Sequence, residues 1–327
     1  ATPGLTLLLG IGHLVMALIC LFVFILPAYA GPVVVQESDL PPDLVRFDVT
    51  FDGTSIELLG GEIEGDSIYA DEVVEVSLYW RAAGPIVEDL TAFVQILGRE
   101  GNPVAGIDCY PGRGNFPTTL WEPGVIYRDQ YQFHIAQGAR VPTVAGLHVG
   151  FRRDGQRLDV RYPSGDVMPQ PALFDLVALR PAEQPSVEIE HSVSARLGEA
   201  ITLVGYGLSA EAVQPGETVT VTLVWRADAS PEGDYTAFVH LIDEAGNLIA
   251  QDDHPPLSNE YRTSFWVPGD VVRDTYRLSI PSDQPPCECL LGVGMYDPLA
   301  DVRLPAFDGL GGRFPGDVIP AGGLDVE

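Results

Sequence analysis

Polar and apolar side chains alternate with a period of two through Thr218–Val219–Thr220–Val221–Thr222–Leu223–Val224–Trp225 and again through Val74–Glu75–Val76–Ser77–Leu78–Tyr79–Trp80. Successive side chains of a strand point to opposite faces, so both stretches predict half-buried strands with one face inward. Pro215–Gly216 supplies a turn just before the first. Glu244–Ala245–Gly246–Asn247 separates the apolar runs Phe238–Ile242 and Leu248–Ala250, predicting a hairpin, and Arg99–Glu100–Gly101–Asn102 is its twin. Further strands are expected at Val271–Ile280 and Leu290–Tyr296, with closing strands near Phe174–Val177 and Leu324–Val326. Short strands at this spacing, almost without helical periodicity, predict a mainly β chain of two-sheet sandwiches.

One segment breaks the pattern. Leu5–Leu26 runs for 22 positions without a charge. As a helix it would reach about 33 Å, against a hydrocarbon core of roughly 30 Å. A secretory signal peptide is the alternative, since Ala28–Tyr29–Ala30 resembles a cleavage site. The run exceeds the usual ~7–15 residues and no basic region precedes it, so a retained transmembrane helix over 1–26 is expected, contacting the lipid bilayer through residues 5–26. An isolated His13 inside it reads as a tolerated, helix-packed residue. Pro27, Pro32, Pro41 and Pro42 with Gly31 predict an extended stalk over 27–45. Ala1–Thr2–Pro3–Gly4 reads as a short loop between two membrane helices, so the chain is expected to be the tail of a longer polytopic protein, complete at its C-terminus. The first basic residue is Arg46. An acidic domain after the last helix is most easily placed outside the cytoplasm: membrane-anchored, with its soluble part extracytoplasmic.

Beyond the stalk the chain matches itself. Ile56–Ile135 lies over Ile201–Ile280 without a gap, and 28 of the 80 pairs, each 145 positions apart, are identical. Arg161–Pro169 returns, one residue shorter, as Arg313–Pro320. Register held over so many turns predicts an internal duplication. The expected organisation is module 1 at 46–180, a linker at 181–185 and module 2 at 186–327, the modules being tandem Ig-like antiparallel β-sandwiches.

Composition narrows function by exclusion. Eighteen basic and 46 acidic side chains leave a formal charge of −28, with no lysine. Such a surface repels phosphate backbones, so nucleic acid is not an expected partner. No D-x-D-x-D-G loop appears for calcium. Cys287 and Cys289 form a C-x-C pair pointing to one face, but no second pair completes a zinc site, and neither metal nor cofactor is expected. No nucleophile elbow, Walker loop or H-E-x-x-H occurs. His240 and His254 share a module, yet Gln95 and Cys109 stand opposite them in the repeat, and no catalytic residue is assigned.

The copies share Trp80/Trp225, Trp121/Trp266, Asp108/Asp253, Arg128/Arg273 and Asp129/Asp274. Trp80 and Trp225 end inward-facing strands and read as core. Trp121 and Trp266 precede a Pro–Gly turn and stay open to two readings. With Asp108 or Asp253 they could offer an aromatic face and a carboxylate to a sugar, or they could close the end of the sandwich while the Asp and Arg residues pair for structure.

Pro27–Ala28–Tyr29–Ala30 after an apolar helix, L-x-W-R-A at Leu223–Ala227, Y-T-A-F-V-H-L at Tyr235–Leu241, A-Q-x-D-x-x-P at Ala250–Pro256, W-x-P-G at Trp266–Gly269 and Gly294–Met295–Tyr296–Asp297–Pro298 together resemble bacterial polytopic glycosyltransferases related to dolichyl-phosphate-mannose protein mannosyltransferases. The resemblance covers nearly the whole chain, as the tail that follows the last helix in some members. Module 1 departs from it, with Gly106 in place of the Gln and Cys109–Tyr110 at the variable positions. It implies an extracytoplasmic accessory region of an enzyme that uses a lipid-phosphate sugar donor, with acceptor glycan or an envelope protein as partner. The family's catalytic acids lie in an early loop outside this chain, and none is carried over. A non-enzymatic, membrane-anchored subunit docking on a membrane complex or the cell envelope is the rival expectation.

Overall fold

A computed structural model describes residues 13–25, 31–42, 44–65, 67–168, 172–184 and 186–327. The alternating stretches form the strands their period demands. In the first half these are β1 (Val33–Val35), β2 (Val45–Phe51), β3 (Ile56–Ile63), β4 (Ser67–Tyr69), β5 (Val73–Ala82), β6 (Thr91–Leu97), β7 (Pro103–Cys109), β8 (Ile126–His134), β9 (Thr143–Arg153), β10 (Gln156–Arg157), β11 (Val160–Arg161), β12 (Val167–Met168) and β13 (Ala172–Arg180). In the second they are β14 (His191–Leu197), β15 (Ile201–Leu208), β16 (Ala212–Val213), β17 (Thr218–Ala227), β18 (Thr236–Ile242), β19 (Leu248–His254), β20 (Val271–Ser279), β21 (Cys287–Asp297), β22 (Val302–Arg303), β23 (Ala306–Phe307) and β24 (Ile319–Val326).

Among the described residues four sheets form, two to each half. The first half pairs β1-β8-β5-β3-β2-β11-β12 with β4-β13-β9-β6-β7, and the second pairs β20-β17-β15-β14-β23 with β16-β24-β21-β18-β19. Apart from β1 and β12, the two halves follow one strand order. Inward residues of both sheets meet in a single core per half, Trp80 at the centre of one and Trp225 of the other, each fully buried. The shared glycines follow from close approach: a Cβ on Gly60 would overlap the carbonyl of Val45, and one on Gly205 that of His191, beside matching bulges at Leu58/Gly60 and Leu203/Gly205.

One expectation is covered only in part, and another changes. The expected spanning helix over 1–26 falls partly outside the described residues, at 1–12 and 26. What is described is an α-helix over 13–19 running into a π-helix at Cys20–Ile25, and among the described residues no helix is long and apolar enough to cross a membrane. The stalk is not a free extended linker beyond its described start at Gly31. Val33–Val35 adds as a strand to β8, and Val35, Leu40 and Leu44 cover Leu59, Tyr79 and Ile126 on the outer face of that sheet. Prolines stiffen such a segment, but its valines and leucines have apolar surface within reach and bury it. Under this cover the Tyr79 hydroxyl, bonded to Glu62, is pushed up to about 12, first by burial.

The linker is fastened at Gln184. Gln184 donates to Asp270 Oδ1 at 3.3 Å and accepts from Val271 N at 3.1 Å. Ala178 of β13 belongs to the second core and Val144 packs against it, so the halves meet through shared apolar surface.

Candidate functional site

The residues common to both halves sit mostly inside. Trp121 is 4% exposed and Trp266 1%. Trp266 donates its indole N–H to the Tyr261 carbonyl at 3.1 Å. Neither ring offers a face to a sugar, which removes them as stacking platforms: the Pro–Gly turn that follows folds each indole under the sheet ends instead of outward.

Asp129 and Asp274 are buried, and each clamps a loop. Asp129 accepts from Gly112 N at 3.1 and 3.0 Å and from Tyr131 Oη at 2.6 Å. Asp274 accepts from Leu257 N at 3.0 Å and Tyr276 Oη at 2.9 Å. Both loops contain three successive left-handed residues, Gly112–Arg113–Gly114 (φ +65°, +56°, +89°) and Leu257–Ser258–Asn259 (φ +50°, +53°, +73°). Glycine adopts this conformation freely; non-glycine residues pay about 1–2 kcal/mol each, and the carboxylate clamp holds them there. Burial raises the Asp129 carboxyl above its ordinary range and, with the neighbouring carboxylates, lifts the Tyr131 and Tyr276 hydroxyls well above theirs.

The expected Asp–Arg pairing does not form within either strand, because adjacent strand residues face opposite ways. Arg128 donates to Gln130 Oε1 at 3.1 Å, while Arg273 is exposed. Asp108 and Asp253 lie on the outer face of the second sheet, opposite Phe93 and Phe238 in register. Asp108 meets Arg152 at 3.3 Å and Asp253 meets His240 at 3.2 Å. Each Phe is covered by arginine: Arg152 and Arg157 lie 5.0 and 4.9 Å from the Phe93 ring, Arg303 4.9 Å from that of Phe238. A Cβ on Gly294 would overlap the Phe238 ring, which accounts for the glycine in the Gly294–Pro298 motif. His254 is on the opposite face, stacked on Tyr276 at 4.2 Å, so the two histidines do not form a pair.

Burial lowers the pKa of His240, with Asp253 opposing, and burial likewise lowers that of His148 on β9. A histidine with a lowered folded pKa contributes stability that is full above its ordinary value of 6.5 and is lost as pH falls through the folded value. Accordingly, melting temperature should drop below about pH 6.5, and His240→Gln, which installs the module 1 residue, should flatten that slope. A slope unchanged in the variant would take His240 out of the acid response.

Two sites carry no motif that singles them out in the sequence. The first is the junction, where Arg180 (2% exposed) pairs with Asp270 (5%) and Tyr261 (fully buried). Arg180 also donates to the Phe265 carbonyl at 2.6 Å and Ser67 Oγ at 2.9 Å, and Tyr261 Oη donates to Asp270 at 2.6 Å. Alongside, Val144 N and Thr143 Oγ1 donate to the Glu260 carbonyl at 2.7 and 3.1 Å. The repeat positions of Tyr261, Asp270 and Arg180 hold Phe116, Val125 and Glu327; the lock is particular to this junction, and its signal is Tyr261 and Asp270 where the other copy is apolar, with Arg180 where it carries the opposite charge.

The second is a cleft of about 380 Å³ at the end of module 2. Leu197, Ile201, Pro231 and Leu304 form its apolar lining, Tyr235 one wall, and Glu199, Glu232 and Ser230 its polar part. Tyr235 is held by its N–H to Thr263 Oγ1 at 2.8 Å, and burial, Glu232 and Asp297 raise its hydroxyl pKa. Its repeat position is the buried Leu90. Grooves of similar size along β7, about 370 and 360 Å³, are more open to solvent. An apolar floor with a few convergent polar groups is the ordinary form of a small-ligand site. Among the described residues no three His, Cys, Asp or Glu side chains converge on a metal position.

No family model matches the sequence, and no curated protein matches it. Among solved structures, the chain is similar to native alpha-2-macroglobulin of E. coli, with 9% identity, 87% of this chain and 15% of that one covered and a TM-score of 0.22. It is also similar to a protein of Corynebacterium diphtheriae described as membrane anchored, with 12% identity, 82% and 58% covered and a TM-score of 0.21. The chain thus spans less than two thirds of either protein.

Proposed function

We propose that this chain is the extracytoplasmic accessory region of a membrane glycosyltransferase using a lipid-phosphate sugar donor, in which a spanning segment holds two Ig-like sandwiches related by internal duplication and the Tyr235 cleft contacts acceptor glycan. The observation that carries the reading is the cleft itself: a pyranose could lay its C–H face on Tyr235 and direct hydroxyls at Glu199 and Glu232. Anchoring is supported by the segment 13–22, which is apolar apart from His13 and Cys20 and exposed on every side. Such a helix needs a membrane or another protein around it.

The test is a glycan array probed with the full chain in detergent, beside Tyr235→Ala and Glu232→Gln. Binding by the wild type is expected, with a loss of about tenfold or more in each variant, or roughly 1.4 kcal/mol. If the wild type binds no glycan, the cleft loses this role. The rival reading, a non-enzymatic membrane-anchored docking subunit, would then lead, and the buried Arg180 junction already favours it to the extent that it makes the modules a stiff spacer.

A further inference from the structure

We infer that the loop end of module 1 rests on the bilayer beside the exit point of the chain, with Val87 and Leu120 entering the boundary between lipid headgroups and acyl chains. This rests on the reading of residues 5–26 as a spanning segment.

The argument starts from the tether. Gly31 lies against the Phe116 ring, Pro32 packs on Gly112, and Val33 pairs with Arg128. Six residue steps separate Ile25, the end of the apolar helix, from Gly31. A chain covers at most about 3.5 Å per residue, so Gly31 lies within roughly 20 Å of that helix end whatever path the chain takes. The surface carrying Phe116 is therefore held close to the membrane face.

That surface presents apolar side chains to solvent. Val87 is 89% exposed, Leu120 58% and Tyr110 38%. Their loops are bound into one ridge: Thr118 Oγ1 donates to the Glu88 carbonyl at 2.7 Å and accepts from Leu90 N at 3.0 Å, and Thr119 Oγ1 donates to Asp89 at 2.6 Å. At the same positions module 2 has Glu232 and Phe265, and Phe265 is half-buried, its carbonyl held by Arg180 of module 1. The end that module 2 applies to its predecessor is, in module 1, a ridge with exposed apolar tips, of which Leu120 stands four residues along the chain from the Phe116 on which Gly31 lies.

Charge sets the kind of contact. Glu88 is paired with Arg153, and Asp89 is bonded by Thr119, so neither carboxylate is offered freely to the surface. The exposed Glu122 limits penetration to the headgroup boundary. Among the described residues no basic patch accompanies the tips, and docking should not require anionic lipid.

The test uses the full chain with Cys20→Ser and Cys109→Ser, reconstituted in phosphatidylcholine vesicles and nitroxide-labelled at Leu120→Cys, Val87→Cys or, as a remote control, Leu310→Cys. Leu310 is 98% exposed. Collision with oxygen, which concentrates in lipid, is compared with collision with a water-soluble nickel chelate. The labels at 120 and 87 should favour oxygen several-fold over the label at 310, equally with and without anionic lipid. Labels at 120 and 310 that are alike, in vesicles that retain the chain after alkaline carbonate, would overturn docking and leave the anchor standing. Release by carbonate would overturn the spanning segment and the docking with it. A label at 120 shielded from both reagents would assign the ridge to a second copy of the chain, and would also overturn the lipid contact.

Discussion

Arg180→Ala should destabilise module 2 by about 3–5 kcal/mol, one of the largest effects of a single substitution in this chain. The guanidinium is buried at the junction and binds Asp270, Tyr261, the Phe265 carbonyl and Ser67 at once. Alanine would leave the Asp270 carboxylate in apolar surroundings with Tyr261 Oη, Val267 N and Gln184 for partners and no countercharge. The cost therefore comes less from the lost attraction than from the charge left behind. For a unit of this size the melting temperature should fall by on the order of 10 °C, read by calorimetry. The transitions of the two modules should draw apart, since the junction would keep the Glu260 carbonyl bonds and the apolar surface at Ala178 and Val144 but lose its buried ion pair. Arg180→Lys should recover only part of the loss, because an ammonium cannot reproduce the planar fork. An unchanged endotherm in Arg180→Ala would show that the pair contributes nothing to the junction.

Trp266→Ala should cost about 3–5 kcal/mol, the range for removing a large buried aromatic side chain. Its ring lies in the second core, and its N–H binds the carbonyl of Tyr261, whose hydroxyl is part of the Arg180 lock. The variant should thus lose module 2 stability and weaken the junction together, visible as earlier denaturant unfolding and faster hydrogen exchange around Thr143 and Val144. A glycan platform would behave differently: the variant would stay folded and lose only sugar binding. A stable Trp266→Ala protein that no longer bound a glycan would restore that role to the indole and displace Tyr235 from it.

Much of the local architecture is legible in the amino-acid sequence. Val74–Trp80 and Thr218–Trp225 are the cores of β5 and β17, which extend to Val73–Ala82 and Thr218–Ala227. Period-two alternation is a property of neighbours in the chain, and one buried face is enough to enforce it. The turn at Glu244–Asn247 and the strand after Trp266–Gly269 are readable for the same reason, since turn chemistry is local.

The direction of the shared side chains is not legible there. Trp121 and Trp266 stand at a turn, where no period says which way a ring points, and only the loops folding over the sheet ends bury them. Asp129 and Asp274 fall in a strand pattern where an inward carboxylate reads as an error until the loop N–H of Gly112 or Leu257 is seen to reach it. The stalk prolines imply an extended path but not the apolar patch of Leu59, Tyr79 and Ile126 on which the segment lies.

By itself, then, the amino-acid sequence determined the strands, their turns, the 145-residue periodicity and the acidic, lysine-free surface, because each depends on residue type and on near neighbours. Only the tertiary structure decided the Arg180 lock, the Tyr235 cleft and the apolar ridge at Val87 and Leu120. Arg180 and Asp270 are 90 positions apart, and Leu197 and Leu304 meet at one cleft. Such groupings arise when loops from distant parts of the chain pack together, and what a side chain can do there depends on the partners and the burial that packing supplies.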